Sequence, residues 1–272
     1  MAQLGDLRIR ILTAAIIGPT ALLCIWWGGN WWSGLILLCM AGLGWEWVRL
    51  CGGSSRRLPG VLVPGAALLG ASCAILGWPL LGLLVLLAGA GAAWRLAPSA
   101  GLPPFWLGFG VLYIGLAGIA LLVLRHDADA GRDNVLFLFV VIWASDISAY
   151  LAGRMIGGPK LAPRISPNKT WSGSLCGLLA AVSVGIWVSI LLGFEVSVWQ
   201  VALVATLLGL ATQSGDMFES WIKRRFGVKD SSGLLPGHGG LLDRLDGVLA
   251  ASLVAALIAL IGGPGGHLWR WV

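Results

Sequence analysis

The chain has 272 residues, 58% of them hydrophobic and 11% charged, with a mean hydropathy of +0.88. A soluble domain carries about 25% charged residues, so this composition excludes an ordinary water-soluble domain. The formal charge of +6 is read as cationic loops that orient a membrane protein, and no nucleic-acid partner is expected.

A spanning helix needs about 20 mostly apolar residues. Nine stretches qualify: 11–28, 31–50, 60–77, 79–96, 105–124, 135–156, 171–193, 197–218 and 239–262. The expected fold class is therefore an all-α polytopic membrane protein. The stretches 60–77 and 79–96 are short, and a single broken re-entrant pair is an alternative there. Arg8 and Arg10 precede the first stretch without a cleavage site after it, so the first span is expected to stay as an anchor. With nine spans and the N-terminus in the cytoplasm, only Arg125, Arg132 and Arg270 fall outside. The other 15 of the 18 lysines and arginines fall inside, which favours a cytoplasmic N-terminus and an outside C-terminus.

Trp31, Trp32, Trp78, Trp171 and Trp199 sit at span ends, as in an interfacial aromatic belt. Gly173 and Gly177 have the small-xxx-small spacing of closely packed helices. Cys24, Cys39, Cys51, Cys73 and Cys176 show no C-x-x-C spacing, which argues against a zinc site or disulfide framework. No Gly-Lys-Ser/Thr phosphate loop is present. The first half, about 1–130, carries one carboxylate inside an apolar stretch, Glu46, read as a snorkelling ion pair with nearby Arg49.

The chemistry concentrates in 131–272, which is expected to form the catalytic transmembrane domain behind a lipid-facing part, 1–130. Asp146 lies inside the sixth stretch, and intramembrane carboxylates are expensive. Its spacing puts it on one helix face with Tyr150 and Arg154. An interhelical hydrogen bond, a buried Asp–Arg pair and a site residue are all compatible with that face. The cytoplasmic loop 157–170 holds Pro159, Pro163 and Pro167, which forbid continuous helix, together with Lys160, Arg164 and Lys169. Ser166, Asn168 and Thr170 are cap types before the seventh stretch. Such a loop either sets topology or holds phosphate at a helix N-terminus.

Asp216 lies about one turn from the end of the eighth stretch. A second cytoplasmic loop, 219–240, carries Lys223, Arg224, Arg225, Lys229 and Gly237-His238-Gly239-Gly240. Asp243 and Asp246 follow, three apart and on one face. Magnesium prefers one or two carboxylates completed by phosphates and water. Cations and helix N-termini beside such carboxylates suit phosphoryl or nucleotidyl transfer.

At these residues the chain resembles the phosphatidate cytidylyltransferases. Their signature is carried by Ser220, Ile222, Lys223, Arg224, Lys229, Asp230, Ser232, Leu235, Pro236, His238, Gly239, Gly240, Leu241, Asp243, Arg244, Leu245 and Asp246. The run Ser166 to Gly173 and the pattern of Asp146, Ala149, Tyr150, Gly153 and Arg154 are similar too, so the resemblance spans about 140–247. It implies that CTP and phosphatidic acid give CDP-diacylglycerol and pyrophosphate, with Mg2+ and a second, monovalent cation such as K+. It also implies a homodimer in a bacterial cytoplasmic (inner) membrane, with a site that faces the cytoplasm and is open to membrane lipid.

On this resemblance Asp216, Asp243 and Asp246 hold metal, with Asp146 behind them or as a further ligand. Lys169, Lys223, Arg224, Lys229 and Arg244 bind phosphates, and His238 donates a hydrogen bond to one. Ser166, Asn168, Ser220, Gly239 and Gly240 contact the nucleotide or its phosphates. The competing readings are a CTP-dependent enzyme acting on another lipid (a polyprenol kinase or CDP-archaeol synthase) and a cation-coupled transporter.

Overall fold

The computed structural model describes residues 2–54, 58–126, 130–235, 237 and 239–261, with side chains described from Ala15 onward. Nine α-helices form within these residues: α1 Ala2–Trp27, α2 Gly29–Leu50, α3 Leu58–Ile75, α4 Pro79–Leu96, α5 Pro104–His126, α6 Gly131–Met155, α7 Trp171–Leu191, α8 Val198–Arg225 and α9 Leu242–Ile261. Each expected apolar stretch is thus a helix. Among the described residues eight are long and apolar enough to cross a membrane, and α1 adds a shorter apolar run, Ala15–Trp27. The chain is an all-α polytopic membrane protein.

Two compact units emerge. The first comprises Met1–His126 and Arg225–Leu245, the second Asp127–Arg224 and Asp246–Val272. The segment Arg225–Leu245 belongs with the first unit although it lies far along the chain. The reason is a carboxylate on α2, described below.

In the first unit α5 is the central helix, with Leu107, Val111, Ile114 and Ala117 fully buried. It packs against α2, α3 and α4. The indole of Trp47 fills the space over Gly110, where a β-carbon would overlap the ring. Its Nε1 donates to the Trp106 carbonyl at 2.7 Å, and Trp32 Nε1 donates to the Leu121 carbonyl at 3.0 Å. Both buried tryptophans therefore satisfy their one polar atom. The short stretches 60–77 and 79–96 are two separate helices, α3 and α4, packed on each other. Gly77 turns the chain between them at φ 86°, and Pro79 starts α4 at a position that needs no donor. Arg125 closes the end of α1 by donating to the carbonyls of Ile25 at 2.7 Å and Trp26 at 3.3 Å. A cation there complements the helix C-terminus.

In the second unit α6 and α7 pack most closely. A β-carbon on Gly173 would lie 2.6 Å from the Ala149 carbonyl oxygen, and one on Gly177 2.8 Å from that of Ser145. Close packing is what the small-xxx-small spacing predicts. The proline-bearing loop folds into a short antiparallel hairpin, β1 Lys160–Ala162 and β2 Ser166–Thr170. Of the three cap candidates Thr170 takes the role: its side chain accepts the Gly173 amide at 3.1 Å.

The eighth helix runs past residue 218, where the apolar stretch ends, to Arg225. Ser220 to Arg225 contain no glycine or proline, Ile222 is buried, and Lys223 pairs with Glu219 one turn earlier at 2.7 Å. Gly227, at φ 71°, is where helix becomes impossible to continue cheaply. Ser220, Lys223 and Arg224 consequently sit on a helix rather than in a loop.

Candidate active site

The second unit assembles a carboxylate group around one lysine. Lys169, at the end of β2, pairs its ammonium with the Asp216 carboxylate on α8. Asp216 lies close enough to repel the charges of both Asp146 on α6 and Asp246 on α9, while Lys169 attracts both. Carboxylates from α6, α8 and α9 thus lie within range of one another's charge. Asp246 is only partly exposed and its Oδ1 accepts the Gly247 amide at 2.7 Å. Backbone proximity makes this meeting possible: a β-carbon on Gly215 would lie 2.5 Å from the Asp246 carbonyl oxygen, so α8 and α9 touch beside the two aspartates.

Behind the group, Gln213 ties three helices together. Its Nε2 donates to the Ser174 carbonyl at 3.0 Å and to the Ser145 hydroxyl at 3.5 Å, while Ser174 Oγ donates to its Oε1. These residues fix the spacing of α6, α7 and α8 next to Asp146 and about one turn before Asp216. Tyr150 and Arg154 bond to each other at 3.1 Å.

The donor set is carboxylate oxygen with one ammonium counter-ion, which is the chemistry of a hard divalent cation. Among the described residues no three His, Cys, Asp or Glu side chains converge at metal-ligand spacing. Magnesium does not need them to, because it is commonly bound by one or two carboxylates with phosphates and waters supplying the rest. The residues therefore fit that ion.

The first unit contains the other end of the motif, and here two carboxylates are turned onto the chain itself. Asp243 Oδ2 accepts the Ser231 amide and hydroxyl, each at 3.1 Å, and the Gly240 amide at 2.9 Å. Glu46, fully buried on α2, accepts the Leu241 amide at 2.8 Å, the Leu242 amide at 2.6 Å, the Ser231 hydroxyl at 3.2 Å and the Ser232 hydroxyl. The amides at the start of α9, expected to face phosphate, are occupied by the protein's own side chains. Arg244 and Leu245 donate theirs to the Leu241 carbonyl, each at 3.1 Å.

Glu46 is thus not the snorkelling partner of Arg49. The Arg49 guanidinium lies over the Trp45 ring, 4.7 Å from its centroid, and Glu46 turns inward to a loop that begins 185 residues later. The glycines of the loop have steric reasons. Gly239 has φ 84° and Gly237 φ 74°. A β-carbon on Gly240 would overlap Ser231 Oγ and lie 2.9 Å from Glu46 Oε1.

The remaining candidates are mostly accessible. Lys229, Arg224, Arg244 and Asn168 are exposed, and Ser166, Ser220 and Lys223 are half-buried. Arg224 Nε donates to the Ile165 carbonyl at 3.4 Å, tethering α8 to the hairpin turn within the second unit. His238 lies outside the described residues. Glu46, Ser231 and Gln213 complete the arrangement without having been candidates. The available signals are an isolated carboxylate in an apolar half and a glutamine three residues before Asp216.

The sequence matches the cytidylyltransferase family over residues 8–261. The chain belongs to the cytidylyltransferase family. It is 40% identical over 267 residues to a protein of Brucella abortus biovar 1 (strain 9-941) named phosphatidate cytidylyltransferase, covering 95% of this chain and 94% of that one. Proteins of the same name from Staphylococcus saprophyticus and Staphylococcus haemolyticus are 41% and 43% identical over 138 and 136 residues, about half of each chain. The likeness to the Brucella cytidylyltransferase extends through the first half of the chain, beyond the 140–247 region that carries the motifs. Glu46 therefore lies within the family's matched span, as do all the candidate residues.

Proposed function

We propose that the chain transfers a cytidylyl group from CTP to phosphatidic acid, releasing pyrophosphate and forming CDP-diacylglycerol. The observation that carries this reading is the meeting of Asp146, Asp216 and Asp246 around Lys169 in a chain whose family is the cytidylyltransferases. The names of the full-length relatives support phosphatidate as the acceptor. The same relatives disfavour a polyprenol kinase, an archaeal-lipid enzyme or a transporter.

In the reaction a phosphate oxygen of the lipid attacks the α-phosphorus of CTP, and the bond to the bridging oxygen of the β-phosphate breaks as pyrophosphate leaves. A strong base is not needed, because the attacking phosphate is already largely ionised. Positioning and neutralisation of charge dominate such transfers. Asp216 and Asp246 would hold Mg2+, which supplies charge neutralisation at the reacting phosphates when bound, and Asp146 lies beside them. Asp243 and a second, monovalent ion such as K+ belong to the same proposal. Lys169, Lys223, Arg224, Lys229 and Arg244 take up phosphate charge, and His238 offers a hydrogen-bond donor.

The distribution of cations supports a site facing the cytoplasm, with the N-terminus on that side and the C-terminus outside. The bacterial relatives support residence in a cytoplasmic membrane. The helices of 1–130 would form the lipid-facing wall, and two copies would assemble into a dimer, which light scattering in detergent checks.

The test is pyrophosphate release by the purified protein with CTP, phosphatidic acid and Mg2+. Release that depends on the lipid and selects CTP over other nucleotides supports the reading. A folded preparation that turns over a polyprenol, or moves ions across liposomes instead, sinks it.

A further inference from the structure

We infer that Glu46 is a positioning residue for the nucleotide. It acts from α2 by clamping the segment that runs from Ser231 to Leu242, so that the cations flanking that segment, Lys229 and Arg244, meet CTP in a fixed arrangement. This rests on the proposed cytidylyl transfer and deepens it.

Three observations lead there. First, Glu46 is fully buried yet carries a carboxylate, and burying a charge without compensation is costly. It is compensated by four donors: the amides of Leu241 and Leu242 and the hydroxyls of Ser231 and Ser232. A carboxylate collecting that many donors on both oxygens is held in one orientation and holds its partners in turn. Second, all four donors lie in one segment, so the bonds fix a loop and the entry of α9, not merely a contact between helices. Third, Ser231 contacts both Glu46 Oε2, at 3.2 Å, and Asp243 Oδ2, at 3.1 Å. Glu46 and Asp243 thereby grip the same serine from two sides.

The result is that the amides of Ser231, Gly240, Leu241 and Leu242 are held on carboxylates, while Lys229, Asp230 and Arg244 are exposed beside them. An exposed lysine or arginine on a mobile loop loses much of its binding energy to ordering, whereas a fixed loop has that cost removed beforehand. The triphosphate of CTP carries more charge than the lipid phosphate monoester, so it gains most from cations held in register. Glu46, fully buried beneath the segment it holds, acts on the nucleotide only through that segment. Residues that support a binding group without touching the ligand typically change affinity or activity by about 10–100-fold when removed.

Glu46→Gln keeps the side-chain volume, removes the charge, and presents an NH2 to groups that are themselves donors. Wild type and variant are compared by CTP and phosphatidic acid titrations, and by amide hydrogen exchange across 231–242. The expected result is a KM for CTP raised about 10–100-fold, a KM for phosphatidic acid within about twofold, and faster exchange at Leu241 and Leu242. A folded variant with unchanged CTP KM and unchanged exchange overturns the inference. So does an equal loss for both substrates with the KM values intact, which is the mark of a merely structural role. Should Glu46→Gln fail to fold, Ser232→Ala removes one donor and leaves the carboxylate in place. A smaller rise in CTP KM, with phosphatidic acid unaffected, supports the clamp, and unaltered kinetics overturn it. If the wild-type protein releases no pyrophosphate, the proposed function falls, and the exchange measurement alone judges whether Glu46 fixes the loop.

Discussion

Gly240 lies so close to the Ser231 hydroxyl that no β-carbon fits between them. The same β-carbon would sit 3.0 Å from Asp243 Oδ2, so the glycine is where two carboxylates and a serine converge on backbone. Gly240→Ala is expected to cost about 1–3 kcal/mol of stability by overpacking, with loss of activity. Adding Ser231→Ala relieves the overlap and restores part of the thermal midpoint, measured by melting in detergent. A Gly240→Ala protein as stable as wild type would show that the loop has another conformation available.

The carboxylate group of the second unit predicts a different phenotype. Asp216→Asn removes the charge that pairs with Lys169 and opposes Asp146 and Asp246. It is expected to lower kcat/KM on the order of 10²–10³-fold, as for loss of one electrostatic stabiliser at a reacting centre, and to raise the Mg2+ concentration for half-maximal activity. Asp243→Asn, whose carboxylate binds the Ser231 and Gly240 amides, is expected to lose thermal stability as well. Initial rates over a Mg2+ series, with melting curves beside them, separate the two.

Lys169→Met leaves three neighbouring carboxylates without their ammonium. Their repulsion then has to be offset by a bound cation, so the stabilisation that Mg2+ confers should grow relative to wild type, since ligands that bind only the folded state raise its stability. Melting midpoints with and without a chelator read this directly. Equal Mg2+ shifts in the two proteins would mean the ion binds elsewhere.

Gly173→Ala and Gly177→Ala test the close approach of α6 and α7. Both β-carbons would press on backbone oxygens, of Ala149 and Ser145 respectively, which cannot swing aside as a side chain could. Each is expected to destabilise by about 1–3 kcal/mol, with Gly18→Ala, which meets nothing within 4 Å, as the neutral comparison.

Burial pushes the Cys51 thiol up to about 12 from its ordinary 9. The thiol should therefore resist maleimide at pH 7–8 while the fold is intact. Because the folded pKa is the higher one, the unfolded chain gives up its proton first as pH rises. The stability this group contributes is complete below about pH 9 and is lost between about pH 9 and 12, at up to about 1.4 kcal/mol per pH unit. Cys51→Ala should lose less stability than wild type across that window in alkaline melting experiments.

The helices were legible because apolar runs of spanning length have few alternatives, and Thr170 because a capping residue next to a helix start is a local signal. The length of α8 was less so. Hydropathy ends near residue 218, but helical geometry persists to Arg225 through the Glu219–Lys223 pair and buried Ile222. The partners of Glu46 are hidden from the sequence for a physical reason. Its nearest cation in sequence is Arg49, and pattern reasoning favours neighbours, whereas its actual partners are backbone amides 195 and 196 residues away. Backbone donors carry no residue-type signature, so nothing in the letters announces them. The meeting of Asp146 with Asp216 and Asp246 was only partly legible, since which faces of three helices turn toward one another is decided by Gly173, Gly177 and Gly215 acting together.

The clamp on the Ser231–Leu242 loop also bears on how this protein can be rebuilt. The motif-bearing segment does not contain the instructions for its own shape, because one of its two anchors is written in the other half of the gene. A transplant of Ser220–Asp246 into a foreign helical scaffold would carry the recognisable letters and leave the conformation behind. Chimeras between relatives should be cut so that Glu46 travels with the loop it holds.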